Sequence, residues 1–319
     1  MSDFPLLFLM GPTAIGKTAT AIAIAKAINA EIINVDSGQV YRAMSIGTAK
    51  PTPLEQAEVP HHLVDIVEPE DPYSAARFCE DAVAAIHDIR QRGRTPLLAG
   101  GTMLYFNALE KGLAPLPAAN AEMRAELENE AKVCGWPAMH DQLKAVDPTA
   151  AARIHPNDPQ RTQRALEVYR LTGKSLTDWQ ADTKSFLPEP ALKFALMPTE
   201  RHWLHERIQR RYHLMLDNGF LDEVRELRDR PNLTGELPSM RSVGYRQAWQ
   251  HLDGVCNFED FVERSIAASR QLAKRQMTWV RGMDGVLPIT CDDVQTPQMH
   301  TERVIAQLEN NQVLDVKKS

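Results

Sequence analysis

Gly11-Pro12-Thr13-Ala14-Ile15-Gly16-Lys17-Thr18 has the form G-x-x-x-x-G-K-[ST], the spacing of a phosphate-binding loop. Its two glycines let the backbone curl so that N–H groups point inward at an anion. Lys17 adds a positive charge, and the Thr18 hydroxyl is of the kind that holds Mg2+. Both flanks agree with this reading. Leu6-Leu7-Phe8-Leu9-Met10 is an apolar run of buried-strand length, and Thr18 to Asn29 is rich in Ala and Ile with Lys26 as its only charge. This predicts strand, loop and buried helix, with the positive end of the helix dipole facing the loop. A glycine-rich turn without a ligand is the bland alternative, and the agreement of all three pieces disfavours it. The loop alone does not say which phosphate compound it holds.

Moving outward, short apolar runs alternate with helix-like segments, which predicts an α/β fold with a parallel sheet flanked by helices. Glu31-Ile32-Ile33-Asn34-Val35 reads as a second strand ending in Asp36-Ser37-Gly38-Gln39, and His62-Leu63-Val64-Asp65-Ile66 as a shorter one. A helix is expected from Ser74, as N-cap, to Arg92, with Gly93 as the stop. Pro96 to Ala99 makes another strand, ending in Gly100-Gly101-Thr102. Ligands of open α/β sheets sit outside the carboxyl ends of the strands, so the loop, Asp36 and Thr102 are expected to share one crevice.

The pattern changes at Leu113-Ala114-Pro115-Leu116-Pro117. From Asn120 to Asp182 it is helical without strand-like alternation, and Phe186-Leu187-Pro188-Glu189-Pro190 marks a second boundary. The division expected is 1–117 and 191–319 as two parts of one core, with 118–190 as an all-helical insertion. Lys193 to Pro198 resumes the sheet, a helix follows from Thr199 to Asn218, and a long one from Asn257 to Arg281. Val286-Leu287-Pro288-Ile289-Thr290 fits only an edge strand because of its proline. Gln298 to Asn310 reads as a terminal helix, with fraying expected at Val316-Lys317-Lys318-Ser319.

With 319 residues, 43% of them hydrophobic, the chain can bury a large core. It has no run of 18 apolar residues, and Met1 to Pro5 lacks the layout of a signal peptide, so no membrane span or leader is expected. The four cysteines are scattered without a C-x-x-C pair, which argues against a zinc site or disulfide framework and fits a reducing cytoplasm. The histidines show no metalloenzyme spacing. A net charge of −6 argues against indiscriminate nucleic-acid binding, yet a local basic groove is compatible with it.

Three groups carry candidate chemistry. Asp36, at a strand end facing the loop, suits either a water-mediated Mg2+ contact or a general base, while Ser37 and Gln39 beside it could read a base edge. Gly100-Gly101-Thr102 offers close backbone approach and a hydroxyl. Arg201 to His213 and Arg270 to Arg281 are strongly basic, and Arg241 to Arg246 adds two arginines and a tyrosine. Arginines with interleaved aromatics suit phosphate contact plus base stacking. Solvated helix faces are the plain alternative; near-absence of acids in a net-acidic chain favours a nucleic-acid track.

At these motifs the sequence resembles the bacterial tRNA dimethylallyltransferases. The matching stretches are Gly11 to Thr18, Asp36 to Arg42, Ile46 to Pro51, Gly100 to Tyr105, His155 to Arg161, Ser242 to Gln247 and Arg270 to Gln276, in that order over nearly the whole chain. The resemblance implies a P-loop NTPase-like core with an inserted helical domain. It implies transfer of a dimethylallyl group from dimethylallyl diphosphate to the N6 amine of adenosine-37, 3′ of the anticodon, with Mg2+. Carried over by position, Asp36 is the base, Thr102 positions the reacting groups, and Arg211 assists catalysis. Gly11, Pro12, Thr13, Ala14, Ile15, Gly16, Lys17 and Thr18 bind the diphosphate, Thr18 also holding the metal. The tRNA contacts implied are Asp36, Ser37, Gly38, Gln39, Thr102, Arg124, Gln160, Arg161, Thr162, Gln163, Arg164, Arg241, Ser242, Val243, Gly244, Tyr245 and Arg246, then Lys274, Arg275, Gln276, Met277, Thr278, Trp279, Val280 and Arg281. The insertion would grip the anticodon stem-loop, and the enzyme is expected to be a cytoplasmic monomer. Ile15 and Gly38 depart from the usual pattern, which has a small residue and a non-glycine residue there.

Two other classes of function follow from fewer features. A small-molecule kinase needs only the phosphate loop and leaves the basic tracks unexplained. A nucleotide-gated RNA-binding switch needs loop and tracks but makes no product. A salt series separates the kinase from the RNA binders, because phosphate contacts give steep salt dependence.

Overall fold

The computed structural model describes residues 4–181 and 183–316. They fall into two compact units, one within 1–107 and 187–319 and one within 108–186. The sequence pattern placed the divisions at 117/118 and 190/191. Helix α4 (Met103–Lys111) runs through the first division, so the proline pair at 115 and 117 lies beyond the structural break.

The larger unit begins β1 (Leu6–Met10), α1 (Lys17–Ala27), β2 (Ala30–Val35), α2 (Pro53–Glu58), β3 (His61–His62), α3 (Ala75–Gln91), β4 (Thr95–Gly100). Its strands and those that follow form one parallel sheet in the order β3-β2-β4-β1, then β5 (Ala191–Pro198) and β6 (Val286–Cys291). Strand β1 is fully buried, as a central strand covered on both faces should be. Register sets Met10 beside Gly100 and Ala195, and Val35 beside Gly100. The carboxyl ends of β1, β2 and β4 are therefore level, and Gly11, Asp36 and Gly101 emerge at one edge. A Cβ on Gly100 would lie 2.0 Å from the Val35 carbonyl oxygen, so only glycine permits this close approach.

Ser74 caps α3, its side chain accepting from the Arg77 N–H, and Gly93 follows at φ 72, as the sequence predicts. β6 lies at the sheet edge, where Pro288 costs no ladder bond. The third strand differs from expectation. Only His61 and His62 pair, with Ile32 and Ile33, because Leu63 and Asp65 take φ of 61° and 55° and leave the extended conformation.

The smaller unit holds α5 (Ala121–Cys134), α6 (Trp136–Val146), α7 (Pro148–Arg153), α8 (Pro159–Thr172) and α9 (Leu176–Ala181). Asn120, Asp147 and Asp158 cap α5, α7 and α8 through their side chains. Leu127, Met139, Leu143, Ala165 and Leu166 form its core. Asp182, the expected end of this region, lies outside the described residues.

After β5 come α10 (Arg201–Asp217), α11 (Phe220–Arg228), α12 (Tyr245–Leu252) and α13 (Phe258–Arg281), then, after β6, α14 (Pro297–Val316). The sequence ended α14 at Asn310, but no glycine or proline stops it there. Fraying was expected from Val316, which instead ends α14; the rest of that stretch, 317–319, lies outside the described residues.

Candidate active site at the carboxyl edge of the sheet

The loop leaves β1 at Gly11, where a Cβ would meet the Leu196 carbonyl oxygen at 2.9 Å and Ile15 Cγ2 at 3.2 Å. Ile15 is buried in the core below the loop. It is thus a packing residue, and the cradle itself is backbone. Gly16, at φ 104, turns the chain into α1. Lys17 folds back onto its own loop, donating to the carbonyls of Gly11 at 2.9 Å and Pro12 at 2.8 Å. Burial pushes its ammonium down to about 8, opposed by the nearby Asp36 charge and reinforced by Arg211.

Two arginines one helical turn apart on α10 close over the loop. Arg207 Nε donates to the Ala14 carbonyl at 2.9 Å, and Arg211 Nη2 donates to Thr13 Oγ1. Burial lowers Arg211 to about 10, with Asp36 opposing and Arg207 adding to the shift. The sequence read the whole stretch Arg201 to His213 as a nucleic-acid track. The helix instead sorts it: Arg207 and Arg211 face the loop, while Arg210 and His213 are exposed.

Asp36 Oδ1 accepts from the Gly38 N–H at 2.8 Å and the Gln39 N–H at 3.3 Å, an Asx-type turn that fixes the carboxylate at the strand end. Thr102 Oγ1 accepts from the Ser37 N–H at 3.0 Å. Gly38 has ordinary backbone geometry, and a Cβ there would meet Thr48 Cγ2 at 3.1 Å. Gln39 Nε2 reaches across to the carbonyls of Thr48 and Ala49 at 3.0 and 3.1 Å.

Two cavities meet at this edge. One, of roughly 320 Å³, runs along the phosphate loop past Lys17, Thr18, Asn34 and His61. The other, of roughly 400 Å³, is walled by Gly101, Thr102, Met103, Tyr212, Met215, Ser242, Val243 and Tyr245, and by Ser269, Leu272, Arg275, Gln276 and Trp279 along one face of α13. Thr13, Asp36, Thr48 and Arg211 line both and form the partition between them.

The remaining predicted contact residues divide by burial. Arg241, Arg246, Lys274, Arg275, Thr278, Trp279 and Arg281 are exposed, Arg241 paired with Glu236 at 2.7 Å. Tyr245, Met277, Val280 and Gln276 are buried, and Gln276 holds Thr13 and Gly101 together. Gly244, buried at φ 94, supports the start of α12. Met277 and Val280 are therefore corrected to framework positions, because the period of α13 turns them inward, whereas Tyr245 and Gln276 border the larger cavity.

Within the smaller unit, buried Glu167 accepts from Arg124 Nε at 3.0 Å, Arg164 Nη1 at 2.8 Å and the Asn120 N–H at 2.8 Å. Gln163 Nε2 donates to the Arg124 carbonyl at 3.2 Å. Gln160 and Arg161 are exposed at the start of α8, whereas Thr162 is buried, so an outward contact by Thr162 is corrected.

For Mg2+, the donors present are hard oxygens, the Thr18 hydroxyl and the Asp36 carboxylate on the loop cavity. Among the described residues no group of three or more His, Cys, Asp and Glu gathers to hold a metal. Hard oxygen donors of this kind are the ones Mg2+ takes, with substrate phosphates and water supplying the others. No described helix is long and apolar enough to cross a membrane.

A parallel sheet carrying a phosphate loop at its carboxyl edge, with a second cavity adjoining the loop, is a P-loop-like fold with room for two ligands side by side. A family model described as IPP transferase matches residues 39–283. The chain belongs to the IPP transferase family. It is 60% identical over 282 residues, covering 88% of this chain and 89% of the relative, to the tRNA dimethylallyltransferase of Alkalilimnicola ehrlichii. It is 51% identical over 298 residues, 93% of this chain and 96% of the relative, to that of Halorhodospira halophila. The crystal structure of the tRNA isopentenylpyrophosphate transferase of Bacillus halodurans matches with TM-score 0.71 at 37% identity, over 98% of this chain and 99% of that one. A eukaryotic dimethylallyltransferase acting on tRNA matches with TM-score 0.81 at 27% identity, over 97% of this chain and 79% of that one.

Thr48 and Arg207 were not singled out from the sequence. The spacing of Arg207 and Arg211 was the one available signal, since residues four apart share a helix face.

Proposed function

We propose that this chain is a tRNA dimethylallyltransferase that joins the dimethylallyl group of dimethylallyl diphosphate to N6 of adenosine-37. The observation that carries the reading is the partition. A phosphate cavity and a larger, more apolar cavity meet at Thr13, Asp36, Thr48 and Arg211. A diphosphate ester on one side and an extruded base on the other would present their reacting atoms there.

The exocyclic amine is a poor nucleophile, its lone pair being delocalised into the ring. The allylic carbon is a good electrophile, since its positive charge is shared over the allyl unit. As the N6–C bond forms and the C–O bond to diphosphate breaks, Asp36 takes the amine proton. Negative charge moves to the departing diphosphate, where loop N–H groups, Lys17 and Arg211 stabilise it. The Thr18 hydroxyl would hold Mg2+, whose charge would further stabilise the departing diphosphate. Thr102 would hold the Ser37 turn beside the base. The exposed arginines of α10 and α13 and the polar start of α8 would contact tRNA. A cytoplasmic, monomeric enzyme belongs to the same reading.

Incubating the protein with labelled dimethylallyl diphosphate and unmodified tRNA should transfer label to the tRNA and release diphosphate. No transfer, with an active control enzyme, overturns the proposal.

A further inference from the structure

We propose that Glu223 is a positioning residue for the reaction: its carboxylate clamps the segment 45–47 and so fixes Thr48 on the partition between the two cavities. This rests on the prenyl-transfer reading.

Glu223 lies on α11, outside both cavities. Its Oε2 accepts from the N–H groups of Ser45 at 2.8 Å and Ile46 at 2.7 Å. Its Oε1 accepts from the Gly47 N–H at 3.1 Å and from the Tyr245 hydroxyl at 2.6 Å. Three successive backbone N–H groups converging on one anion form a nest, a geometry that often receives phosphate. Here the protein's own carboxylate fills it. The Tyr245 hydroxyl stays protonated because burial, with the Glu223 charge, raises it well above its ordinary range.

The clamped segment has little room to sit elsewhere. A Cβ on Gly47 would lie 2.2 Å from Phe220 Cε2 and 2.6 Å from Tyr245 Cε2, so the backbone is pressed against both rings. Ala43 and Ala49, on either side, hold φ of 59° and 51°, conformations that must be maintained by their surroundings. Thr48 follows directly. Its Oγ1 donates to the Met44 carbonyl at 2.7 Å, and its own carbonyl accepts from Gln39 Nε2. Gln39 N–H in turn bonds Asp36 Oδ1. Glu223 is thus joined to the base through segment 45–48 and Gln39, without touching either substrate cavity.

A glutamine at 223 has one oxygen to offer and an NH2 facing donors, so several N–H groups of the nest lose their acceptor. Two readouts test this on Glu223→Gln beside wild type. Backbone hydrogen exchange at 45–47, with no substrate present, should speed up while the sheet stays protected. In the prenyl-transfer assay kcat should fall about 10- to 100-fold, the scale of a small misplacement of reacting groups, with affinities for dimethylallyl diphosphate and tRNA changed less than about threefold. Unchanged exchange at 45–47, unchanged kcat, or losses that merely track the fraction of unfolded protein overturn the proposal. Should Glu223→Gln fail to fold, Tyr245→Phe, which removes one bond to the carboxylate, decides by the same readouts: faster exchange at 45–47 with lower kcat supports it, and neither change overturns it. A wild-type protein without transfer activity counts against the prenyl-transfer reading, whereas the exchange arm still judges the clamp.

Discussion

Gln276, on α13, accepts a hydrogen bond from the Thr13 N–H at 2.8 Å, across 263 residues of chain. The same side chain donates to the Gly101 carbonyl at 2.8 Å. One buried amide therefore ties the phosphate loop to the end of β4, and with it the two cavities.

Replacing Gln276 by Leu leaves the Thr13 N–H and the Gly101 carbonyl without that partner. An unsatisfied buried group costs about 1–3 kcal/mol. Gln276→Leu should lower the midpoint of unfolding and raise KM for dimethylallyl diphosphate, whereas exposed Gln271→Leu on the same helix should do neither. Denaturation with paired kinetics checks this, and equal behaviour of the two variants contradicts the tie.

Asp36→Asn keeps an Oδ1 acceptor for the Gly38 and Gln39 N–H groups, so the turn should persist. What it loses is the proton acceptor. We predict a fall in kcat of about 10²–10⁴-fold with tRNA affinity changed less than about threefold. Parallel losses in rate and binding would assign Asp36 to tRNA contact instead of proton transfer.

Lys17 gives the site a pH dependence. In the free protein its ammonium titrates at about 8, because burial disfavours charge. A bound diphosphate favours the charged form and raises that value. Binding therefore needs no proton below about 8 and takes one up above it. The apparent Kd for dimethylallyl diphosphate should rise about tenfold per pH unit above that point, until the pKa of the complex is reached. Titration calorimetry in buffers of different ionisation heat reads the uptake directly. Lys17→Gln should bind more weakly and lose the dependence, and a retained dependence refutes the assignment.

Arg207 and Arg210 stand three residues apart and should behave oppositely. Arg207 bonds the loop carbonyl of Ala14 and stacks on Trp203 at 4.9 Å, whereas Arg210 is exposed. Arg207→Ala should raise KM for the diphosphate substrate about tenfold or more and leave tRNA binding unchanged. Arg210→Ala should weaken tRNA binding and reduce its salt slope by about 1. A swap of these phenotypes would restore the basic stretch to a single track.

That contrast shows where the sequence stops being informative. Strands β1, β2 and β4 were legible because buried parallel strands are continuous apolar runs between turn residues, and α3 because Ser74 is a local cap. The phosphate loop was legible as a local motif. Glu223 was not, since its partners lie 176 to 178 residues away and nothing near it on α11 marks it. β3 was overextended because the positive φ of Leu63 and Asp65 has no signature in those side chains. Met277 and Val280 entered as part of a contiguous block, and the helix period then turned them inward.

His300, buried on α14, sets a second pH dependence, this time of stability. Its Nδ1 lies 3.2 Å from Thr20 Oγ1 on α1, and its Nε2 lies 3.5 Å from Cys291 Sγ on β6. It thus joins the phosphate-loop helix, the terminal helix and the sheet edge. Burial, then the Arg303 charge, lowers its pKa from the ordinary 6.5, against the opposing Asp292 charge and a backbone bond at Thr290. The unfolded chain therefore takes up this proton first as pH falls. The stability contribution is complete above about 6.5 and is lost as pH drops toward the folded value. The lowered carboxylates Glu31, Asp147 and Glu167 act in the same direction only below their ordinary carboxyl range. His61 and His205 are also lowered, mainly by burial, so His300 supplies part of the slope. Urea midpoints measured from about pH 7.5 to about pH 5.5 should fall for wild type and fall less for His300→Gln, which cannot titrate. Equal slopes for the two proteins would remove His300 from the acid sensitivity of the fold.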